Sequence, residues 1–489
     1  VRLLAAVLLA APAFAGGLDE AKRRLQGAEE AEVRGGAEAC AEANSVEAAE
    51  ALLSVLNRTK PHGERVFAPA HYRDIVWDSL VALTDPYARG RIERELQANR
   101  KNAAVRQWCA ELLGIYGDGS FAPALIAACA DGNDGVRQAA ARSLGSLRHE
   151  PATRALEPLT RAANARVRAN ALEALARIDP ANQRERFLAA VVGDPDGGAR
   201  CALLGALPAI YPGDALAASA ARGRDDADWR PRMQAVDNLA GIRGKESVDA
   251  LVERTADGRP AVQQRAMDAL RRMTGKEILD ASGWSAWWRA NREAFSFPEE
   301  EGHGEGKADE PRTVAYGIPL VSDHVAFVID TSARMSDKLQ ATGTSKADAA
   351  RAELSRVLGE LHGRLVFNVY TYREEVESFR KKPVPLDPKQ HEKAIAFMKE
   401  KTTLGAKDIW KVLEMVVSDG DIDTVYLLSS GEPDVGLYVH WNRVTSHLAD
   451  LNRFHKVVVH TVVYSDRQWY RDQLQMIAKT TGGECKAFQ

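Results

Sequence analysis

A short stretch in the C-terminal half of the chain places oxygen-bearing side chains where chemistry is done. It reads Asp323-His-Val-Ala-Phe-Val-Ile-Asp330-Thr-Ser332-Ala-Arg334-Met335. Five apolar residues, Val325 to Ile329, follow one another without alternation, which is how a strand buried on both faces reads. Asp330 ends the run, and small hydroxyl residues and a helical pattern come next. In an open α/β sheet, ligands bind in the loops beyond the carboxyl ends of strands, so Asp330 and Ser332 stand where a binding site is expected. Catalytic patterns are missing elsewhere. None of the 11 histidines forms His-Glu-x-x-His, and neither Gly-x-Ser-x-Gly nor a Gly-x-x-x-x-Gly-Lys-Ser/Thr phosphate loop occurs. Gly304-Glu-Gly-Lys307-Ala308 imitates part of such a loop but lacks its hydroxyl residue. The five cysteines, Cys40, Cys109, Cys129, Cys201 and Cys485, include no Cys-x-x-Cys pair, so no zinc site is expected. They read as buried helical thiols, with Cys109–Cys129 the first candidate for a disulfide.

The elements that must hold Asp330 alternate. The pattern predicts strands at Val325–Asp330, Leu365–Thr371, Val376–Phe379, Thr424–Ser430, Val457–Tyr464 and near Lys486–Phe488. Helices are predicted at Lys346–His362, Lys389–Lys401, Asp408–Val417, Val444–Phe454 and Gln468–Thr480. This is a doubly wound, Rossmann-like α/β domain over 312–489 with a mostly parallel sheet.

The preceding part repeats. Val105-Arg106, Val136-Arg137, Val167-Arg168, Ala199-Arg200, Pro231-Arg232 and Val262-Gln263 follow at intervals of 31, 31, 32, 32 and 31 residues. Four residues after each first member stand Cys109, Ala140, Ala171, Leu203, Ala235 and Ala266; eight after it, Leu113, Leu144, Leu175, Leu207, Leu239 and Leu270. A fixed period of this length means a solenoid of helix pairs. The arginine at the second offset, Arg106, Arg137, Arg168, Arg200 and Arg232, has two readings. One is a ladder of pairs with aspartates or carbonyls of the turns. The other is a basic stripe on the solenoid surface that takes an acidic partner. Residues 18 to about 100 read as further helices. Trp284, Trp287 and Trp288 share one helix face and suit the terminal cap that an open-ended array needs. The solenoid with its cap spans 18–296, and the acidic, glycine-rich 297–311 reads as a flexible linker, so the two halves are expected to move relative to each other.

The repeats resemble short HEAT-like repeats, of the kind also found in phycobilin lyases. The Asp330 stretch, Leu427-Leu-Ser-Ser430-Gly-Glu-Pro433 and Ile477-Ala-Lys-Thr-Thr-Gly-Gly-Glu484 resemble von Willebrand factor A (VWA) domains. The whole chain is similar to exported bacterial proteins that join the two. In metal-binding VWA domains three loops hold a divalent cation through an Asp-x-Ser-x-Ser motif, a Thr and an Asp. The resemblance assigns Asp330 and Ser332 to the first motif, with Arg334 at its last position; Lys407 replaces the Thr and Ser430 the Asp. A divalent ion about 6 Å from one such cation meets repulsion of order 5 kcal/mol at an effective dielectric near 20. No metal is therefore expected, and Mg²⁺ is disfavoured, with only Asp330 and Ser332 as ligands if any ion binds. Arg334 or Lys407 is expected to pair with Asp330 in the metal's place. Two readings of such a site stand side by side: Asp330 merely hydrogen-bonds loop amides and the site does nothing, or, more sharply, it is a metal-independent pocket that presents two cations to a partner carboxylate.

The N-terminal Val1-Arg2 followed by an apolar run and Ala13-Phe-Ala15 reads as a signal peptide, 1–15, and predicts export to the periplasm or beyond. Basic and acidic residues number 65 and 68, a net charge of −3, which argues against nucleic-acid binding. The expected function is a non-catalytic protein-interaction or scaffold protein of the cell envelope with a protein partner. The alternatives are a metal-dependent adhesion module and, by analogy with repeat-containing lyases, an enzyme accessory.

Overall fold

The computed structural model describes residues 17–27, 29–58, 69–298 and 313–488. Residues 1–15, which read as a signal peptide in the sequence, and residues 299–311 of the acidic segment lie outside them. The chain divides into two compact units, Val1–Leu156 and Glu157–Gln489. The division falls inside the repeat array and not at the acidic segment.

The first unit is helical. Leu18–Leu25, Glu30–Ala43, Val46–Leu56, Pro69–Ala82 and Pro86–Ala98 precede the registered repeats, whose motif helices here are Ala103–Tyr116 and Asp134–Leu147. In the second unit they are Ala165–Ile178, Gly197–Ile210, Trp229–Ala240 and Pro260–Thr274. Every leucine at the eighth offset and every residue at the fourth is buried, so the repeated positions are the solenoid core. The motif helices start at a repeated cap. Asn102, Asn133, Asn164, Asp196 and Asp228 each accept a backbone N–H of the first turn, satisfying donors that a helix start leaves without partners. The next position in register is Arg259, whose side chain caps nothing.

The arginines form a relay. Arg106 donates two bonds to the Asp131 carboxylate (2.7 and 2.9 Å), and the Asp131 carbonyl accepts from Arg137 (2.6 Å). Arg168 grips Asp194, Arg200 grips Asp226 and Arg232 grips Asp257 in the same bidentate way. The carbonyls of Asp194 and Asp226 accept from the arginine one repeat on. These four guanidinium side chains are only 12–15% exposed. The reading of Arg106, Arg168, Arg200 and Arg232 as a free basic stripe is thus corrected: their donors face inward because each turn supplies a carboxylate. Arg137 differs. Its register partner, Ala162, has no carboxylate, and Arg137 turns to Asp134 of its own helix. In the same repeat the outer helix breaks into 3-10 turns, Glu150–Ala152 and Glu157–Arg161, around a single α-helical turn at Thr153–Leu156. Pro151 and Pro158 each withdraw an N–H there. The boundary between the two units lies in this broken segment.

In the second unit the array ends on the helix Ala281–Asn291. Trp284 and Trp288 are buried there, and Trp288 Nε1 donates to Asp249 (2.6 Å). Trp287 and Phe295 close over the cluster edge to face, a terminal cap.

The rest of the second unit is an α/β domain. Its strands are β1 (Val314–Ala315), β2 (Ile318–Pro319), β3 (His324–Asp330), β4 (Val366–Tyr372), β5 (Val376–Ser378), β6 (Val384–Pro385), β7 (Thr424–Ser429), β8 (Val458–Val463) and β9 (Cys485–Ala487). β1 and β2 form a small hairpin, and the others a seven-stranded sheet in the order β5-β4-β3-β7-β8-β9, with β6 also on β4. β4, β3, β7, β8 and β9 are parallel to one another, and β5 and β6 run antiparallel to β4. β3 and β7 lie at the centre, and all of their apolar side chains are buried. The chain is therefore a HEAT-type helical solenoid followed by a mostly parallel α/β domain resembling VWA domains.

The expected freedom between repeats and sheet is corrected within the second unit. The ends of the domain before β7 and before β8 rest on the repeats. Arg259, the misplaced cap, donates to Asp423 Oδ2 (2.6 Å) and to the Asp421 carbonyl (2.7 Å). Trp229 Nε1 donates to the Gly420 carbonyl (3.2 Å). Lys456 and Arg265 share Asp237 (2.6 and 2.7 Å), and Arg453 pairs with Glu173. Phe454 is buried among Ala169, Leu172 and Leu203. A buried aromatic ringed by ion pairs with good geometry is a packed interface, not a tether.

Candidate functional site

The site forms where β3 and β7 end side by side. Ile329 stands in register with Leu428, so Asp330, one residue on, and Ser430, two residues on, meet at the sheet's carboxyl edge. The loop after β3 is pinned by Thr331 N–H to the Tyr372 carbonyl (2.9 Å). Leu404 N–H then donates to the Thr331 carbonyl and Ala333 N–H to the Gly405 carbonyl, both at 3.2 Å. This stitches the loop carrying Lys407 to the one carrying Ser332. A third loop closes on both: Asp434 N–H and Val435 N–H donate to the Lys407 carbonyl (2.9 and 3.2 Å), and Lys407 N–H donates to Asp434 Oδ2 (3.2 Å).

Side chains then converge. Asp330 is fully buried. Its Oδ2 accepts from Ser430 Oγ (2.6 Å) and Ser430 N–H (2.9 Å), and its Oδ1 accepts from Ser332 N–H (2.7 Å). Lys407 is equally buried, with Nζ 3.8 Å from Asp330 Oδ2, 3.8 Å from Asp434 Oδ2 and 3.3 Å from Ser430 Oγ. Ser332 Oγ, also buried, has no hydrogen-bond partner among the described residues. Of the two cations expected beside Asp330, Lys407 is the one present. The pairing of Arg334 with Asp330 is corrected: Arg334 is 43% exposed and lies above, donating to Tyr470 Oη (3.1 Å) and facing Asp434 Oδ1 at 3.6 Å. Burial works against the Arg334 charge, but Asp434 and Tyr470 outweigh it and raise its pKa. Gly431 has φ +146°, and a Cβ there would stand 3.1 Å from the Tyr470 ring and 3.2 Å from Arg334 Nη1. Only glycine lets the loop pass beneath that pair.

Burial raises the Tyr372 phenol far above its ordinary value, with the Asp330 charge adding to it. The same cause pushes Asp408 up to about 6, where it caps the helix Ile409–Val417 by accepting from Lys411 N–H (2.9 Å). Asp434 and Tyr470 are site residues that sequence reasoning missed. The acid four residues beyond Ser430 was the available signal for Asp434; Tyr470 comes from a distant helix and left none. All five cysteines are free, and Cys109 and Cys129 are not joined.

Residues 94–176 match the HEAT-repeat family. Over 132 residues the chain is 27% identical to inter-alpha-trypsin inhibitor heavy chain H4 of Homo sapiens, covering 24% of this chain. The chain spans only 13% of the length of that relative. Among solved structures it is similar to the CpcE–CpcF complex of phycocyanin lyase from Nostoc sp. PCC7120, with 19% identity, a TM-score of 0.30, and coverage of 53% of this chain and 97% of that one. It is also similar to a von Willebrand factor type A structure from Catenulispora acidiphila, with 13% identity, a TM-score of 0.28, and coverage of 35% and 40%. Similarity at this level carries no functional information. HEAT-repeat regions and VWA-like domains are both module types that typically bind proteins.

Proposed function

We propose that this is a non-catalytic interaction or scaffold protein of the cell envelope, whose α/β domain engages its protein partner without a divalent cation. The observation that carries the reading is the burial of Lys407 Nζ between Asp330, Ser430 and Asp434. A divalent ion does not fit this donor set, because an ammonium within 4 Å of the same oxygens already neutralises one of the two carboxylates, Arg334 faces the other, and both repel a further cation. The non-catalytic reading is supported by the same burial: Asp330, Lys407, Ser332 and Ser430 expose at most 2% of their surface, so neither a base nor a nucleophile is presented. Among the described residues no helix is long and apolar enough to cross a membrane. Export rests on the signal-peptide reading of residues 1–15.

The test is calorimetric titration of the full chain with Mg²⁺, Mn²⁺ and Ca²⁺, with thermal melts alongside. The expected result is neither heat nor a shift in melting temperature. Saturable binding abolished by Asp330→Ala would restore a metal-dependent adhesion site.

A further inference from the structure

The repeat helix Gly197–Ile210 departs from its neighbours on one face. Six residues after the first member of each motif stand Glu111, Arg142, Glu173, Gly205, Asp237 and Asp268. Every repeat but this one carries a charge there, and here the residue is glycine, which weakens a helix interior. Ala202, Ala206 and Ala209 extend the thinned face. The thinning leaves a cleft of about 450 Å³ between this helix and the helix Trp441–Asn452 of the α/β domain, where Ala449 lines the other wall.

The neighbouring repeats place a carboxylate on each side of the gap. Glu173 Oε1 accepts from Arg177 Nε and Nη2 (3.1 and 2.8 Å), and its Oε2 accepts from Arg453. Asp237 accepts from Lys456 (2.6 Å) and Arg265 (2.7 Å). Each carboxylate is shared by two cations, which it can only half neutralise. Asp450, 3.7 Å from Arg453, offsets one more charge, and the cleft stays positive. Arg177, Arg453 and Lys456 all line it, and Arg177 Nη1 and Arg453 Nε donate to nothing among the described residues.

A bare acceptor faces the same space for a separate reason. Pro208 lacks an N–H, which leaves the Leu204 carbonyl without its helix partner. Asn238 Nδ2 donates to that carbonyl (2.9 Å), and Asn238 Oδ1 accepts from Gln234 Nε2 (2.8 Å). Gln234 is 9% exposed and lines the cleft, and its Oε1 has no donor among the described residues. A Cβ on Gly205 would stand 3.0 Å from that oxygen, so the glycine keeps the space beside it open. A nearly buried oxygen without a donor is costly unless a ligand meets it.

We propose that this cleft binds a small hydroxylated anion, a carboxylate or a phosphate ester, with its anionic group on Arg177, Arg453 and Lys456 and a hydroxyl donating to Gln234 Oε1. The ligand touches both folds at once, since Arg177 and Gln234 come from the repeats and Arg453 and Lys456 from the α/β domain. The site shares no residue with the Asp330 cluster and stands whether or not a metal binds there.

The experiment is calorimetric titration of the full chain with glucuronate, with glycerol 3-phosphate and with sulfate, which carries no hydroxyl. The expected result is one ligand per chain at a Kd of about 1 mM or tighter for at least one of the two hydroxylated anions, about tenfold tighter than sulfate. The tighter of the two assigns the anionic group. Gly205→Glu, which returns the acid of the register to the gap, is expected to abolish binding. Arg177→Ala, at a side chain 39% exposed, is expected to weaken it about tenfold. Silence with both hydroxylated anions overturns the proposal. Sulfate binding as tightly as either overturns it too, because charge alone then suffices, and so does binding undiminished in a folded Gly205→Glu. Should Gly205→Glu fail to fold, Arg177→Ala decides: weakened binding supports the proposal, and unchanged binding overturns it.

Discussion

The two ends of the central sheet solve the same electrostatic problem with different partners. At the carboxyl end, Asp330 is fully buried and its cation, Lys407, is fully buried too and belongs to the same domain. At the amino end, Asp423 is fully buried and its cation, Arg259, is 13% exposed and comes from the repeats. Ser322 Oγ and Thr424 Oγ1 also donate to Asp423, yet burial still raises its pKa. One pair closes a loop cluster; the other joins two folds. A buried carboxylate needs a cation wherever it sits, and the source of that cation decides whether the pair builds a site or an interface.

The comparison breaks most sharply at the closed end. Lys407→Ala leaves Asp330 buried with no other cation paired to it among the described residues and is expected to cost about 3–5 kcal/mol, read by denaturant unfolding without added metal. A loss under about 1 kcal/mol would show that the hydrogen bonds from Ser332 and Ser430 suffice for Asp330. Arg259→Ala is expected to cost less, about 2 kcal/mol, because Ser322 and Thr424 remain and Asp423 takes up a proton more readily. Hydrogen exchange is expected to speed up around 420–423 and 453–456, and addition of Asp423→Asn to recover part of the loss.

Acid sharpens the contrast, because each end carries a titrating group with the opposite sign. Asp408, near the site, is raised to about 6. The folded state therefore holds its proton more tightly than the unfolded chain, and its contribution falls as pH rises from about 4 to about 6. Asp408→Asn keeps a capping side chain, removes that slope, and is expected to stabilise the protein at neutral pH by about 1–2 kcal/mol. His455 lies at the interface, facing Arg230, Arg166, Asp196 and Asp228, and burial chiefly lowers its pKa to about 4. Its contribution is complete above about 6.5 and is lost as pH falls toward 4. Denaturation of His455→Asn between pH 4 and 7 is expected to show a flatter acid limb than wild type. The smallest effects belong to the relay: Arg168→Ala is expected to cost about 1 kcal/mol and Arg137→Ala less than about 0.5 kcal/mol, since Arg168 grips a nearly buried carboxylate and Arg137 an exposed one.

Much of this was legible in the order of residues. Apolar runs, unbroken in β3 and β7 and interrupted by Asn368 in β4 and by His460-Thr461 in β8, located all four strands to within a residue or two, since a strand covered on both faces admits few polar residues. The period near 31 located the motif helices because each repeat reuses one set of core positions. The replacement of a loop hydroxyl by Lys407 was readable as a charge at a ligand position. The interface was not, although its mark was present. The cap series Asn102, Asn133, Asn164, Asp196, Asp228 breaks at Arg259, and the Val-Arg motif changes to Val262-Gln263 in the same repeat. A broken local rule showed that Arg259 had another duty, but its partner, Asp423, lies 164 residues on. Only folding brings them together. The short β1–β2 hairpin and β6 also escaped, because two-residue strands have no periodicity to read.

The placement of the contacts along the array bears on how such a chain tolerates gain or loss of whole repeats. Between Glu173 and Arg259 the repeats meet the α/β domain at three ion-pairing positions, Glu173, Asp237 and Arg259, drawn from the motif helices Ala165–Ile178 and Trp229–Ala240 and from the cap position of Pro260–Thr274. Excising one period of about 31 residues inside that span would carry Arg259 out of reach of Asp423 while Glu173 still held Arg453. The repeats between Glu173 and Arg259 are therefore expected to keep a constant number among relatives of this architecture.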